Sequence, residues 1–283
     1  MSGALPRERP HWLKVRVPYG RGVFRVEEVL RKNGLVTVCR EARCPNVGEC
    51  WGQGTATVLI LGNVCSRACA FCSVASGHPA PPDRTEPARL AAAAAELAWR
   101  HVVVTSVTRD DLPDGGAAQF AEVVGELRQL PRPPSVELLV PDFAGDRNAL
   151  AEVVRARPDI LAHNVETVPR LYSRVRPRAS YERSLALLSR AHATAPGLAL
   201  KSGLMVGFGE TEKEVVAVMD DLYRTGCRSV TVGQYLPPSR SHPRVAKYYS
   251  VEAFEKLGDT ARRIGFARVA SGPLVRSSYK AAG

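Results

Sequence analysis

Short apolar runs rich in β-branched residues alternate along the chain with longer segments of helical periodicity. Near-continuous apolar runs are typical of parallel strands covered on both faces, and their alternation with helices predicts repeated βα units. The predicted strands are 57–61, 101–107, 135–140, 159–165, 198–206 and 229–232, with a short last piece near 267–270. The predicted helices are 87–100, 116–130, 147–157, 181–194, 211–225 and 251–264.

Residues at the ends of these helices support their placement. Pro87 suits the first turn of a helix, and Thr211 followed by Glu214 matches a capping box. Gly265 follows the end of the last helix, where a glycine readily takes the left-handed conformation. The glycine- and proline-rich stretch 76–82 predicts a surface loop.

Six βα units are fewer than the eight that close a barrel, so the sequence predicts an α/β fold with an open, partial (β/α)6 barrel. An open sheet needs a cover, and the two ends of the chain are available for it. The predicted divisions are 1–54 for an N-terminal extension, 55–270 for the barrel and 271–283 for a C-terminal tail. No low-complexity linker or strong repeat divides the chain further.

The composition is that of an ordinary soluble globular protein, with 45% hydrophobic and 24% charged residues among 283. The formal net charge of +11 favours acidic partners at long range, although a role in solubility alone explains it equally well. The densest basic stretch, 170–183, has no interleaved aromatic platform beyond two tyrosines. No nucleic-acid partner is therefore predicted.

Six of the seven cysteines form two triplets of different spacing. The triplets are Cys39, Cys44 and Cys50 (C-x4-C-x5-C) and Cys65, Cys69 and Cys72 (C-x3-C-x2-C). A structural zinc site is usually completed by four thiolate or imidazole ligands, whereas each triplet stops at three and no histidine lies within the span. Thiolates are the usual ligands of iron–sulfur clusters, and a cubane held by three cysteines keeps one iron open. Two clusters are therefore favoured, with zinc sites and disulfides as alternatives.

The disulfide alternative fits poorly with the rest of the chain. Disulfide frameworks belong mostly to small secreted domains, whereas a chain of this length can bury a large core without covalent cross-links. The first twelve residues contain Arg7, Glu8 and Arg9 between two prolines and resemble neither a signal peptide nor a membrane span. We therefore expect a cytoplasmic protein without membrane association.

The second triplet directly follows the first predicted barrel strand, where parallel barrels carry catalytic groups. Its sequence 62–72, Gly-Asn-Val-Cys-Ser-Arg-Ala-Cys-Ala-Phe-Cys, resembles the signature of the radical S-adenosylmethionine (SAM) superfamily. The resemblance implies a partial barrel of the radical SAM type and a [4Fe–4S] cluster whose open iron is chelated by SAM. An electron delivered to such a cluster cleaves SAM to a 5′-deoxyadenosyl radical, which abstracts hydrogen from an unactivated carbon.

Further blocks resemble the lipoyl synthases, a family of that superfamily. The blocks are 37–51 around the first triplet, 105–116, 163–168, 201–207, 233–236 and 276–279, the last reading Arg-Ser-Ser-Tyr. The resemblance implies an auxiliary [4Fe–4S] cluster on the first triplet, with a serine of the last block as its fourth ligand. We choose Ser278 over Ser277 for that ligand; the alternative is that the serines only cap the tail.

The resemblance also implies the reaction, which inserts two sulfur atoms at carbons 6 and 8 of an octanoyl chain amide-linked to a lysine of a carrier protein. Each insertion uses one SAM, and the auxiliary cluster donates the sulfur and is consumed. The implied carriers are acidic: octanoylated lipoyl domains of 2-oxoacid dehydrogenases and the glycine-cleavage H protein. An electron donor such as flavodoxin or ferredoxin is implied as well, and we expect a monomer.

Polar residues at the ends of the predicted strands are candidates for contacts with SAM, because catalytic groups of parallel barrels lie there. The candidates are Thr105, Ser106, Asp110, Asn164, Glu166 and Lys201. A polar residue at a strand end can equally cap a helix, and Lys201 can equally be a strand-edge lysine that extends to solvent.

Three other residues fit less specific roles. Arg276 precedes the serines and could neutralise cluster or carboxylate charge, or form a surface ion pair. His163 has no metal-spaced partner and is expected to make an ordinary polar contact. Cys227 stands alone and is expected to be a small buried hydrophobic residue rather than a ligand.

Other functions are compatible with parts of the sequence. A methylthiotransferase that acts on RNA would suit the basic charge, but no appended RNA-binding domain is visible. A two-cluster electron carrier or a zinc-stabilised binding module would use the cysteines, but neither would need the predicted barrel. A sulfur-inserting radical SAM enzyme is the leading hypothesis.

Overall fold

The structure is a computed structural model that describes residues 10–13 and 20–279. The predictions for residues 1–9, 14–19 and 280–283 lie outside this part of the chain, so the extension 1–54 and the tail 271–283 are described only in part. Within the described residues, no helix has both the length and the apolar character needed to span a bilayer.

Strands and helices alternate from residue 57 onwards, as the sequence pattern predicts. The strands are β1 (Val36–Thr37), β2 (Thr57–Ile60), β3 (Val64–Cys65), β4 (Ala75–Ser76), β5 (His101–Ser106), β6 (Ser135–Leu139), β7 (Ile160–Ala162), β8 (Ala199–Val206), β9 (Ser229–Gln234) and β10 (Arg268–Gly272). The α-helices are α1 (Arg21–Lys32), α2 (Val38–Glu41), α3 (Val47–Gly52), α4 (Glu86–Glu96), α5 (Ala117–Arg128), α6 (Arg147–Arg155), α7 (Tyr172–Val175), α8 (Tyr181–Thr194), α9 (Glu212–Arg224) and α10 (Val251–Ile264). Short 3-10 helices occupy His11–Leu13, Phe143–Gly145 and Pro169–Leu171.

The main sheet has the strand order β1-β2-β5-β6-β7-β8-β9-β10. All neighbouring pairs are parallel except β1 with β2. Each consecutive pair of parallel strands is connected through one long helix, which gives six βα units followed by β10. The sheet is not closed, since β1 and β10 form its two edges, and the predicted partial (β/α)6 barrel is confirmed.

Local capping interactions explain why several helix bounds were predictable. The hydroxyl of Thr211 accepts a hydrogen bond from the amide of Glu214, whose carboxylate accepts one from the amide of Thr211, so the capping box of α9 is confirmed. Gly265 closes α10 in the left-handed conformation, with φ of 117°. Ser180 caps α8 in the same way as Thr211, through the amide of Arg183.

The predicted strand 159–165 is wrong in its length, because β7 ends at Ala162. The amide of His163 still bonds to Lys201 O, but Glu166 has φ of 65° and rejoins the sheet only through a bridge to Leu204. A positive φ is uncommon for a residue with a Cβ and bends the chain out of the strand. The apolar pattern alone does not reveal this bend.

Two other predicted boundaries also differ. The predicted helix 87–100 ends at Glu96, because Ala98 takes a left-handed conformation with φ of 49° and the amide of Trp99 turns back to Ala94 O. The predicted loop 76–82 begins within a strand, since Ser76 of β4 pairs with Cys65 of β3.

The N-terminal extension covers one edge of the open sheet. Helix α1 contacts α3 and α4, and β1 pairs antiparallel with β2. Val26, Val29 and Leu30 of α1 are buried in the same hydrophobic core as the barrel. The predicted use of this extension as a cover is confirmed for its described residues.

Candidate functional site

A cavity of about 580 Å³ opens at the carboxyl ends of the parallel strands. Residues from β2, β5, β6, β8 and β9 line it, together with the segment that follows β7. The lining includes Cys39, Cys44, Cys50, Cys65, Cys69, Cys72, Ser277 and Ser278. The structure thus brings both cysteine triplets and the two serines of the tail to one cavity. The sequence predicts the six cysteines and Ser278 as cluster ligands, with Ser277 as the alternative serine.

The second triplet lies on a loop that is tied at both ends. The ladder of β3 with β4 and the bond from the amide of Gly77 to Cys65 O join the two ends of the loop to each other. The amide of Ser66 donates to Thr108 O, which joins the loop to the segment after β5. The sulfur of Cys65 accepts from the amides of Arg67 and Thr108, at 3.4 and 3.3 Å. The position of this sulfur is therefore set by backbone groups.

The turn that starts this loop is held by buried polar side chains. Leu61 has φ of 66°, and its amide donates to Glu86 Oε2 at 2.9 Å while its carbonyl accepts from Arg109 Nη1 at 3.2 Å. Gln119 also donates to Glu86, at 2.6 Å. Both backbone groups of the strained residue are therefore satisfied by long-range partners, as buried backbone groups require.

Arg67, between the first two cysteines of the loop, forms two ion pairs. It bonds to both carboxylate oxygens of Asp110, at 2.8 and 2.7 Å, and lies 2.8 Å from a carboxylate oxygen of Asp142. Burial lowers the pKa of Arg67, but the two carboxylates more than offset this effect and raise the pKa overall. Asp110, predicted to contact SAM, is thus engaged by Arg67 and is not among the residues that line the cavity.

The first triplet lies on two short helices and the turn between them. Cys39 is in α2, whose first turn is capped by Thr37, and Cys50 is in α3. The amide of Cys44 donates to Cys39 O, and Arg43 just before it has φ of 49°. A left-handed arginine at this point reverses the chain, so that the three cysteines reach the same cavity.

The C-terminal tail closes over the first triplet. Asn46 Nδ2 donates to Leu274 O at 2.6 Å, and the hydroxyl of Tyr279 donates to Glu49 at 3.0 Å. The tail also approaches β9, where a Cβ on Gly233 would lie 2.1 Å from Val275 O. A glycine is required here, because any side chain would displace the tail.

Polar and charged side chains line the same cavity as the two triplets. Asn164 Nδ2 donates to Glu166 at 3.0 Å, whereas Asn164 Oδ1 and the hydroxyl of Ser106 are buried without a protein partner. Burial raises the pKa of Glu166, although the charge of Arg176 acts in the opposite direction. Arg276 is in the same lining, and its guanidinium bonds to the preceding carbonyl oxygen. Unpartnered buried atoms in a cavity indicate a polar ligand.

Two of the remaining candidates are engaged by the protein itself. Lys201 Nζ bonds to Glu137 at 2.8 and 3.1 Å inside the barrel and is not among the residues that line the cavity. It is therefore neither in the cavity nor extended to solvent. Thr105 does line the cavity, but its hydroxyl donates to Leu139 O at 2.8 Å.

The less specific predictions for His163 and Cys227 are confirmed. The ring of His163 is buried between Val140 O, at 2.8 Å from Nδ1, and the hydroxyl of Ser184, at 3.0 Å from Nε2. Burial lowers the pKa of this histidine to about 4, so the ring is neutral at pH 7. Cys227 is fully buried, and its thiol donates to the backbone carbonyls of Leu200 and Ser229.

The donor set fits iron–sulfur clusters. Each triplet brings three thiols to the wall of one cavity, and thiolates are the usual ligands of iron–sulfur clusters. Burial raises the pKa of Cys72 to about 11, so the thiol would have to lose its proton to a metal before it could serve as a ligand.

Sequence reasoning missed the ion-pair partners and a cavity residue. Nothing in the local pattern connects Arg67 with Asp142 or Lys201 with Glu137, because each pair joins distant segments. Arg176 also lines the cavity, although in the sequence it is only one arginine of the basic stretch 170–183. A charged residue between the cysteines of a loop is the signal that could have drawn attention to Arg67.

Comparison with known proteins gives a consistent result. The sequence model of the Radical SAM superfamily matches residues 59–222. The lipoyl synthase of Caldanaerobacter subterraneus subsp. tengcongensis is 55% identical over 273 residues, which are 96% of this chain and 95% of that protein. The lipoyl synthase of Geobacter sulfurreducens is 52% identical, over 97% of this chain and 90% of that protein.

Solved structures share the fold at low sequence identity. Methylornithine synthase (PylB) superposes with a TM-score of 0.55 at 14% identity, over 89% of this chain and 82% of that chain. Streptococcus suis SuiB bound to S-adenosylmethionine gives a TM-score of 0.61 at 10% identity, over 80% of this chain and 54% of that chain. The sequence identity along nearly the whole length is what decides the family: this chain belongs to the lipoyl synthases of the Radical SAM superfamily.

Proposed function

We propose that this protein inserts two sulfur atoms into a protein-bound octanoyl chain, at carbons 6 and 8, and so forms the lipoyl cofactor. The observation that carries the proposal is that two cysteine triplets of different spacing line one cavity in a chain of the lipoyl synthase family. A radical SAM enzyme with a single cluster needs only the triplet after β2. The first triplet, Cys39, Cys44 and Cys50, supplies a site for a second cluster in the same cavity.

The residues of the two triplets would hold two [4Fe–4S] clusters. When bound, one cluster together with SAM supplies a 5′-deoxyadenosyl radical, and the other supplies sulfide. Cys65, Cys69 and Cys72 would bind the cluster that takes SAM, because three ligands leave one position open.

Ser278 would complete the auxiliary site on Cys39, Cys44 and Cys50. Its hydroxyl lies on the tail that closes over this triplet, and Ser277 lines the same cavity, so the choice between them needs an experiment. A serine oxygen is a harder ligand than a thiolate, which favours release of its iron from a cluster that is dismantled during the reaction.

Contacts with SAM are proposed for the candidates that line the cavity. These are Thr105, Ser106, Asn164 and Glu166. The unpartnered oxygens of Ser106 and Asn164 support this role, because a polar ligand would satisfy them. Asp110 and Lys201 are left out, since their charges are taken up by Arg67 and Glu137.

The apolar part of the lining suits an alkyl chain. Leu59, Val107, Leu204 and Met205 contribute hydrophobic surface to the cavity. We further propose that acidic octanoylated lipoyl domains of 2-oxoacid dehydrogenases and the glycine-cleavage H protein deliver this chain, since the net charge of +11 favours them. A flavodoxin or ferredoxin as electron donor, a cytoplasmic location and a monomeric state complete the proposal.

Mass spectrometry of an octanoyl-lysine peptide tests the function. The protein is reconstituted anaerobically with iron and sulfide, which the two-cluster assignment predicts to give about eight of each per chain. Incubation with SAM and a reductant is expected to add two sulfur atoms to the peptide. A reconstituted protein with about four irons, or a peptide that never gains sulfur, would contradict the proposal.

The matched variants are Cys50→Ala and Cys227→Ala. Both remove one thiol, but Cys227 lies buried away from the cavity lining. We expect Cys50→Ala to add no sulfur and Cys227→Ala to react as the unmodified protein does. Equal activities of the two variants would remove the auxiliary triplet from the mechanism.

A further inference from the structure

Arg67 is a buried cation inside the cysteine loop, with 7% of its surface exposed. Its Nε and Nη2 bond to the two oxygens of Asp110, and Nη2 also lies 2.8 Å from Asp142, whose side chain is fully buried. A two-point pair between a guanidinium and a carboxylate fixes direction as well as distance. Arg67 is therefore held in one orientation by two partners.

The two partners of Arg67 belong to different parts of the barrel. Asp110 lies in the segment after β5, and Asp142 lies in the segment after β6. Ser106 at the end of β5 and Val140 just after β6 both line the cavity. Arg67 thus connects the cysteine loop to two strand ends that form the walls of the same cavity.

Other charges surround this arrangement without replacing Arg67. Arg178 donates to Ser66 O at 2.7 Å and lies 3.7 Å from Asp110, but its side chain is 59% exposed. Arg183 lies 3.3 Å from Asp142. These two arginines balance the carboxylates from outside, whereas Arg67 is the member of this group that belongs to the cysteine loop itself.

We propose that Arg67 is a positioning residue for SAM: it holds the loop 65–72 at the distance from β5 and β6 at which SAM bound to a cluster on this loop would contact the polar groups of the cavity wall. The inference rests on the proposed cluster and SAM chemistry. It assigns Asp110 to the support of the loop, in place of the predicted contact with SAM. Arg67 is not among the residues that line the cavity, so it would act through the loop and the two aspartates.

A purely electrostatic role for Arg67 makes a different prediction. If Arg67 only neutralised the two carboxylates, removal of all three charges together would restore a normal site, because no unpaired buried charge would remain and Arg178 and Arg183, which also face the carboxylates, are partly exposed to solvent. If Arg67 positions the loop, removal of the three charges would restore stability but not the geometry of the SAM site.

The test compares Arg67→Met with the triple variant Arg67→Met, Asp110→Asn, Asp142→Asn. Melting temperature, iron content and the SAM dissociation constant are measured on anaerobically reconstituted protein, with the electron paramagnetic resonance spectrum recorded with and without SAM. We expect Arg67→Met to melt well below the unmodified protein. The triple variant is expected to recover most of that loss yet bind SAM about 10- to 100-fold more weakly, as is typical when outer-shell support is removed. A triple variant with unchanged SAM affinity and spectrum would overturn the proposal.

Arg67→Lys decides the question if the triple variant does not fold. Lysine keeps the charge but cannot form the two-point pair with Asp110. We expect this variant to retain its iron and to lose SAM affinity, so an unchanged affinity would overturn the positioning role here too. Sulfur insertion is not among these readouts, so failure of this inference is distinguishable from failure of the proposed function.

The matched control removes a buried ion pair elsewhere in the barrel. Lys201→Met with Glu137→Gln replaces such a pair, and neither residue is in the cavity lining. We expect its SAM affinity to be unchanged. An equal loss of affinity in this control would show that general weakening of the barrel, rather than the position of the loop, governs SAM binding, and would overturn the proposal.

Discussion

The two cysteine triplets line one cavity but are held in different ways. The loop 65–72 is joined to its surroundings by the β3–β4 ladder and by the buried ion pairs of Arg67. The segment 39–50 lies on two short helices under the tail, which is tied to it through Asn46 and Tyr279. Under the proposed function the cluster on the loop 65–72 persists through every turnover, and the auxiliary cluster on the segment 39–50 is consumed. The more heavily supported site is the one that must persist.

The difference also concerns what would have to move for a site to open. Separating the loop 65–72 from the barrel would break several backbone hydrogen bonds and the ion pair between Arg67 and Asp142. Breaking a buried ion pair carries a large free-energy cost. Lifting the tail breaks two hydrogen bonds, from Asn46 to Leu274 O and from Tyr279 to Glu49. Glu49 is already exposed to solvent, so water can replace the second bond. Rebuilding a consumed cluster therefore does not require the barrel to unfold.

The strongest way to separate the two sites is to delete one ligand from each. We expect Cys69→Ala to abolish formation of both 5′-deoxyadenosine and the sulfur-containing product, because the cluster that binds SAM is lost. Cys50→Ala should still form 5′-deoxyadenosine while adding no sulfur. Chromatography of the nucleoside alongside mass spectrometry of the peptide measures both. Loss of 5′-deoxyadenosine in both variants would mean that the two sites do not act independently.

The next effect concerns Ser278, the tail residue that we propose as a cluster ligand. We expect Ser278→Ala to reduce sulfur insertion by about 10- to 100-fold while 5′-deoxyadenosine is still formed. Ser277→Ala is the matched control, because it changes the same tail by the same group, and it should stay within about twofold of the unmodified protein. The rate of sulfur insertion into the octanoyl peptide measures both. A reversed order would assign the ligand to Ser277.

A smaller effect is expected at the turn that starts the cysteine loop. Glu86→Ala removes the acceptor of the Leu61 amide and of Gln119, which costs about 1–3 kcal/mol of stability. The melting temperature should fall by roughly 3–10 °C in calorimetry. The control Glu122→Ala changes an exposed glutamate on α5 and should shift the melting temperature by less than about 2 °C. Equal shifts would show that Glu86 does not support the turn.

The smallest effect is expected at the tail. Asn46→Ala removes the hydrogen bond to Leu274, worth about 1 kcal/mol, so a chelator should take iron from the auxiliary site about fivefold faster. Iron held by Cys65, Cys69 and Cys72 should be lost at an unchanged rate. Asn33→Ala, which removes a similar amide-to-carbonyl bond at the end of α1, is the control. Faster loss of iron from both sites would contradict the prediction that the tail limits access of the chelator to the auxiliary site alone.

The fold was largely predictable because its signals are local. The apolar runs fix β5, β6, β8 and β9 to within a few residues, and Thr211 with Glu214 or Gly265 fixes helix ends through bonds between neighbours in sequence. The ligand triplets were visible for the same reason, since their spacing is short. The site beyond the cysteines was harder, because the partners of Arg67 and Lys201 are more than forty residues away along the chain.

Backbone conformation explains the other misses. Glu166 and Ala98 both take positive φ, and neither residue type announces that conformation as a glycine would. Asp110 shows the related difficulty for side chains: its position after a strand end suggested a ligand contact, and only the structure reveals that Arg67 has already engaged it.

The close approach of the tail to Gly233 links two stretches of the gene that lie far apart. Because the carbonyl of Val275 occupies the place where a side chain would begin, mutation at this codon cannot be tolerated without a matching change in the final segment. Position 233 is therefore expected to stay glycine wherever the final segment takes this course, and grafting the terminal peptide of one homologue onto another should succeed best when the donor and recipient share this glycine.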